Sequence, residues 1–185
     1  SKIFYTFTFN AMGTFNKSED TIFRKSFVIF VVTGTQAPFD RMLSIIDKWA
    51  VNQDTYSIIA QTANSEINFK NMTCFDYLEP DVFNEYFNNA DVIIGHAGMG
   101  TIIKALENKK KLVVFPRLVK YNEHRNDHQH HTAIGFEKLG LINVAYNEKD
   151  LFRYLNNIIE IPVKRKINQN AEKQLLKKIS NFINK

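Results

Sequence analysis

A single cysteine, Cys74, leaves no partner for an internal disulfide and too few thiolates for a four-cysteine zinc site. It reads as a small core residue, and a reducing cytoplasm suits such a chain. No apolar run approaches the roughly 20 residues that cross a bilayer. "FVIFVV", residues 27–32, is far too short, and nothing before it forms a signal-peptide core. The chain itself is therefore expected to be soluble. No repeat and no low-complexity tract occurs. Two phosphate-binding signatures are missing as well: there is no Gly-Lys-Ser/Thr of a Walker loop and no G-x-G-x-x-G of a dinucleotide site.

What is present suits one globular domain with appendages. The 185 residues are 44% hydrophobic and 23% charged, enough for a sizeable core. A net charge of +5 and a pI near 9.2 fit an anionic partner, whether nucleic acid, an acidic membrane surface or a phosphorylated ligand. Composition does not choose among them.

Residues 1–26 read as an extension poorly tied to the rest, with aromatic and polar residues alternating in "SKIFYTFTFN". From Phe27 the pattern becomes regular and predicts a domain over residues 27–160. Strands are expected at "FVIFVV", "TYSIIAQT", "MTCFDYL", "DVIIG", "KLVVFP" and "LINVAY". Helices are expected at "FDRMLSIIDKWA" (with Pro38 as a start signal), "PDVFNEYFNNA", the stretch through Asn108, "HQHHTAIGFEKLG" and "EKDLFRYLNNII". Strands alternating with helices give an α/β fold, a Rossmann-like parallel sheet covered on both faces. Residues 161–185 are basic, with Ile167, Ala171, Leu175, Ile179 and Phe182 at helical spacing. This tail reads as an amphipathic helix that packs on its own domain or docks on a partner or membrane surface.

In an open α/β sheet, ligands bind beyond the carboxyl ends of the strands. Three polar loops converge there: Gly34-Thr35-Gln36 after the first strand, His96 to Thr101 after the fourth, and Arg117 with Glu123 to Gln129 after the fifth. Gly98 and Gly100 would bring backbone N–H groups close to a ligand, and the helix starting there would favour phosphate. His96 could add a ring N–H and Thr101 a hydroxyl. The cluster of His124, His128, His130 and His131 has i, i+4 spacing at His124 and His128, but no Glu in a hydrolytic arrangement, so no metal is expected. Asn126, Asp127, His128 and Gln129 instead form a row of donors and acceptors suited to sugar hydroxyls. His130 and His131 read as surface or packing residues.

"TGTQAPFDRM", "HAGMGTIIKALE" and "FPRLVKYNEHRNDHQ", in this order, resemble the glycosyltransferase family 28 C-terminal domain over about residues 27–157. The similarity is to its short, stand-alone group, which holds the catalytic subunit of the eukaryotic dolichol-pathway N-acetylglucosaminyltransferase and bacterial capsule or exopolysaccharide transferase subunits. The "EHRNDHQ" form resembles the bacterial branch. The resemblance implies the donor-binding half of a GT-B enzyme that takes a UDP-sugar. His96, Ala97, Gly98, Met99, Gly100 and Thr101 would hold the diphosphate, bordered by Gly34, Thr35 and Gln36. Asp127, His128 and Gln129 would contact the sugar, within a pocket shaped by Glu123, His124, Arg125 and Asn126. His96 with Arg117 or Arg125 would stabilise the leaving diphosphate without a metal or other cofactor. One position departs: related transferases often carry a ribose-binding Glu where this chain has Lys104, with Glu107 one turn on.

A GT-B enzyme needs two such domains, and this chain has elements for one. The resemblance therefore implies a membrane-anchored, acceptor-binding partner subunit and a polyprenyl-diphosphate-linked sugar acceptor at the cytoplasmic face of the membrane. A general base is not assignable in this chain. The alternatives are a nucleotide-sugar-binding or regulatory module without catalysis, and another enzyme of the fold such as a UDP-sugar epimerase. No nucleic-acid partner is expected, since no reading motif accompanies the basic residues.

Overall fold

The computed structural model describes residues 27–164 and, outside them, two three-residue strands. Those strands, β1 (Phe7–Phe9) and β2 (Phe15–Lys17), pair antiparallel with Thr8 opposite Asn16. The expected tail helix lies outside the described residues from position 165 on.

The domain is a six-stranded parallel sheet with helices on both faces. In chain order its elements are β3 (Phe27–Val32), α1 (Asp40–Ala50), β4 (Tyr56–Gln61), β5 (Thr73–Phe75), α2 (Pro80–Asn89), β6 (Val92–Gly95), α3 (Met99–Glu107), β7 (Lys111–Val114), α4 (His128–Lys138), β8 (Asn143–Val144) and α5 (Glu148–Asn156). The strands lie in the order β5-β4-β3-β6-β7-β8 and every adjacent pair is parallel. This is the doubly wound order. The chain builds outward from β3 through β4 to β5, then returns to lay β6 on the other side of β3. The crevice between the carboxyl ends of β3 and β6 is the topological switch point, the place where such sheets hold ligands.

The continuous apolar run in β3 follows from burial on both sides. Ile29 and Val31 point into one core with Met42, Leu43, Ile46 and Trp49 of α1 and Leu151 and Leu155 of α5. Phe30 and Val32 point into a second core with Phe87, Ile102, Ala105, Leu106, Ala133 and Phe136 from α2, α3 and α4. Each fully buried side chain of this size contributes on the order of 1.5–3 kcal/mol, so a strand serving two cores has no place for alternating polar residues.

Two local expectations change. Cys74 is exposed rather than in the core, because β5 is the outermost strand and pairs only with β4. Atoms crowding its sulfur, then the carboxylates of Asp47 and Asp76, push the thiol up to about 11, so it stays protonated at neutral pH. Pro38 does not open α1: the helix begins at Asp40, after Phe39 as N-cap, and the Pro38 carbonyl accepts a bond from Arg117.

Candidate functional site

The switch point holds a cleft of about 490 Å³. Its floor is the turn between β6 and α3. Gly98 is the N-cap of α3, and the first helical bond runs from Ile102 N–H to Gly98 O at 3.1 Å. The N–H groups of Met99, Gly100 and Thr101 precede that bond and point along the positive end of the helix dipole. Gly100 and Thr101 line the cleft.

The two glycines of this turn do different work. A Cβ on Gly98 would sit 2.2 Å from His96 Nε2, so the imidazole fills the space that glycine leaves. A Cβ on Gly100 would meet nothing within 4 Å, so that position opens onto the cleft itself. Gly34, from the opposite loop, completes the pocket around the ring: it lies at φ +91° with its Cβ position 3.0 Å from the same nitrogen.

His96 Nδ1 stands 3.3 Å from Val32 O. A carbonyl only accepts, so Nδ1 carries the proton and Nε2 is a bare acceptor between the two glycines. Desolvation outweighs the Val32 bond and, with smaller contributions from Arg117 and His124, lowers the ring's pKa to about 4. At neutral pH His96 is therefore uncharged. The N–H expected for a phosphate is given to Val32 instead, and Nε2 needs a proton before it can donate into the cleft.

The opposite wall is built from side chains. Arg117 is only 4% exposed. Its Nη1 donates to Pro38 O at 2.6 Å and Glu123 O at 3.4 Å, and its Nη2 to Ala37 O at 2.6 Å and Thr33 O at 3.0 Å. Arg41 reaches the same region from α1, forking onto Glu123 with Nε–Oε1 at 2.6 Å and Nη2–Oε2 at 2.8 Å, and donating to Pro116 O at 3.0 Å. Glu123 Oε2 also accepts from Leu118 N–H at 2.9 Å. The two guanidinium planes lie on aromatic rings, Arg117 over Phe39 at 4.5 Å and Arg41 over Phe115 at 4.2 Å and Tyr121 at 4.7 Å.

Of the residues singled out in the sequence, Gly34, Thr35, Gln36, His96, Gly98, Gly100, Thr101, Arg117, Glu123, His124 and Gln129 line the cleft. Others do not. Ala97 packs into the core, and Met99, Arg125, Asn126, Asp127 and His128 stand outside the lining. Asp127 turns its carboxylate to Val119 N–H at 3.0 Å and so braces the loop after β7, while Asn126 bonds His124 and the His128 N–H at the start of α4. Gln129 reaches the cleft with its carboxamide oxygen accepting from Arg117 N–H at 3.2 Å. The four histidines of the loop do not converge: His130 packs edge-on against Tyr146, and among the described residues no group of three His, Cys, Asp or Glu is placed to hold a metal.

Six lining residues were not marked as ligand contacts in the sequence: Val32, Thr33, Ala37, Gln61, Phe83 and Lys104. Gln61 is buried and ties two loops, donating from Nε2 to Gly34 O at 3.2 Å and accepting at Oε1 from Leu78 N–H at 3.1 Å. Its place at the carboxyl end of β4 was the available signal. Lys104 lies over the rings of Phe83 and Phe87 and bonds Asn84 Oδ1, while Glu107 is outside the cleft.

A doubly wound parallel sheet with a glycine-opened helix N-terminus at its switch point defines a Rossmann-like ligand-binding domain of the kind found in GT-B glycosyltransferases. The chain belongs to a family within that class, the glycosyltransferase family 28 C-terminal domain, whose profile matches residues 28–185. The match runs on through the basic tail, past the last of the three motifs. The UDP-N-acetylglucosamine transferase subunit ALG13 of Candida albicans is 38% identical over 74 residues, which cover 40% of this chain and 24% of that protein. The matched stretch thus spans about a quarter of that relative's length. Among solved structures, the solution structure of ALG13 superposes with a TM-score of 0.56 at 19% identity, covering 83% of this chain and 96% of that one. MurG of Acinetobacter baumannii superposes at 0.55 with 16% identity, covering 85% of this chain and 46% of that one. The shared fold therefore accounts for less than half of that chain.

Proposed function

We propose that the chain is the donor-binding subunit of a two-component glycosyltransferase, and that the switch-point cleft takes a UDP-sugar. The observation that carries this reading is the N-terminus of α3, whose N–H groups face a cleft left open by the missing Cβ of Gly100. The name of the ALG13 relative, a UDP-N-acetylglucosamine transferase subunit, supports both the uridine nucleotide and the divided enzyme. In this reading the helix N-terminus holds the diphosphate, and Gln129 and His124 border the sugar. The arriving dianion reverses the balance that keeps His96 neutral, so Nε2 takes up a proton and donates it as a hydrogen bond. These groups stabilise the leaving UDP electrostatically, with no metal in the scheme.

The base that activates the acceptor hydroxyl lies outside this half. The one carboxylate lining the cleft among the described residues, Glu123, is engaged by Arg41, and a His96 ring already protonated on the diphosphate has no nitrogen left to accept a proton. A membrane-anchored partner subunit would supply that base together with a polyprenyl-diphosphate-linked acceptor. The reaction belongs on the cytoplasmic face of the membrane, in the synthesis of a bacterial exopolysaccharide or capsule. Among the described residues no helix is long and apolar enough to cross a membrane.

Calorimetric titration of the chain with UDP, ADP and a panel of UDP-sugars tests the donor site. Selective UDP binding, with proton uptake read from the buffer dependence of the enthalpy, is the expected result. Equal affinity for UDP and ADP would reject a uridine site. Restoration of transfer on co-expression with an acceptor-binding subunit separates a catalytic role from that of a nucleotide-sugar-binding module.

A further inference from the structure

The loops after β3 and β7 form facing parts of the cleft and belong to strands that are not neighbours in the sheet, since β6 lies between them. They are nevertheless held to each other by one buried group. Arg117 leaves the end of β7, and its two terminal nitrogens donate to three carbonyls of the β3–α1 connection, Thr33, Ala37 and Pro38, as well as to Glu123 in its own loop. The Arg41–Glu123 fork closes the same tie from α1, with a further bond to Pro116 O. These two arginines bridge the carboxyl ends of β3 and β7 across the intervening β6.

We infer that Arg117 is a positioning residue, which with the Arg41–Glu123 pair fixes the Gly34–Ala37 turn and the 118–123 loop as one unit around the cleft, rather than a group that contacts the diphosphate. Burial supports this over direct contact. Both terminal nitrogens donate to main-chain carbonyls, and removing the guanidinium would leave those carbonyls unpaired in a low-dielectric site. Geometry also explains the residue type. A planar guanidinium with fixed donor directions can satisfy four carbonyls from two loops, whereas an ammonium has three donors at a single point. The Arg117 main-chain N–H holds Gln129 Oε1, so the unit also sets a side chain in the first turn of α4. The consequence for the site rests on the UDP-sugar reading; the mechanical tie does not.

Nitrogen-15 relaxation on the full chain, free of ligand, tests the tie. Arg117→Lys is expected to lower the backbone order parameters of residues 34–37 and 118–123 together, from the rigid range near ~0.85 to below ~0.6, with β3 and β6 unchanged. Glu123→Gln, which keeps the volume and lies at the edge of the tie, is expected to loosen both loops to a smaller extent. Loosening of one loop alone, or of neither, would overturn the inference. So would a uniform loss across the strands, which is the mark of general destabilisation. A second readout separates positioning from direct contact. If Arg117 acts by charge on the diphosphate, Arg117→Lys retains most UDP affinity and Arg117→Met loses it. As a positioning residue, Arg117→Lys loses at least about tenfold and is as weak as Arg117→Met. A wild-type chain that binds no UDP would refute the donor-site reading, and the relaxation result would still decide the tie.

Discussion

The two sides of the cleft are made by opposite means. The β6–α3 turn uses main chain: glycines, free N–H groups and one imidazole held between them. The side around the β7–α4 loop uses side chains: Arg117 and Glu123 of the loop, Arg41 from α1 and Gln129 from α4, bonded to one another and to main-chain groups. A main-chain site keeps its shape through the sheet and helix that flank it. A side-chain site keeps its shape only while every partner is present, so it should fail by larger steps and in a more cooperative way.

The largest effect is therefore expected in the loop. Glu123→Ala leaves the Arg41 guanidinium, 20% exposed at its side chain, without its carboxylate and strips the Leu118 N–H of its acceptor. A partly buried fork of this kind costs on the order of 3 kcal/mol when one partner is removed. Urea unfolding is the measurement, with the midpoint shifting and the slope unchanged. A loss below 1 kcal/mol would mean that the web is a surface pair and that the contrast between the two walls is wrong.

Acid should act on the main-chain side. The pKa of His96 is lowered to about 4 from an ordinary value of 6.5. Between those values the unfolded chain binds a proton that the folded chain refuses, so stability is full above about pH 6.5 and falls as pH drops towards 4. The linked loss is about 3 kcal/mol at most. Comparing wild type with His96→Asn across that range isolates it: the variant's stability curve should be flatter by that amount. Parallel curves would place the titration elsewhere. Bound UDP, by raising this pKa, should remove much of the dependence.

Gly98→Ala comes next. A Cβ 2.2 Å from Nε2 cannot be tolerated, and the imidazole must swing out of its pocket between Gly34 and Gly98. The obstruction is a side chain and not backbone, so the fold survives with a loss of about 1–2 kcal/mol. The bond to Val32 O breaks, and UDP affinity should fall at least about tenfold. An unshifted His96 ring signal in the variant's NMR spectrum would contradict this geometry.

The same contrast governs what could be read from the sequence. Strand and helix positions were legible because burial on both sheet faces imposes continuous apolar runs, and α3 was placed by the glycine turn that precedes it. His96, Gly98 and Gly100 were legible for the same reason, since they follow a strand directly. The web was not. Arg41 sits within a helix among Asp40 and Met42, and nothing local says that its partner is Glu123, 82 residues on. The row Asn126, Asp127, His128 resembled a sugar contact because its donors and acceptors are the right kind, but side-chain direction decides which of them faces the cleft. Asn126 is turned back onto the His128 N–H at the start of α4 and Asp127 onto the Val119 N–H in the preceding loop, since short polar side chains compete for free main-chain N–H groups. Arg117 was marked as a cation near a phosphate, and only its buried carbonyl partners reveal the other role.

The smallest expected change in stability is also the sharpest test of the main-chain wall. Gly100 lies in the first turn of α3, and a Cβ there meets nothing within 4 Å. Alanine in a helix is favoured over glycine by roughly 0.5–1 kcal/mol, so Gly100→Ala should leave the free protein equally or slightly more stable. Binding should move the opposite way. The added methyl occupies the space through which the N–H groups of α3 reach a ligand, and UDP affinity should fall while uridine, which lacks the diphosphate, is held as before. Opposite signs for stability and UDP affinity would locate the phosphates at α3. A Gly100→Ala chain that binds UDP as the wild type does would show that the ligand approaches by the side-chain wall, and the main-chain turn would then be only a seat for His96.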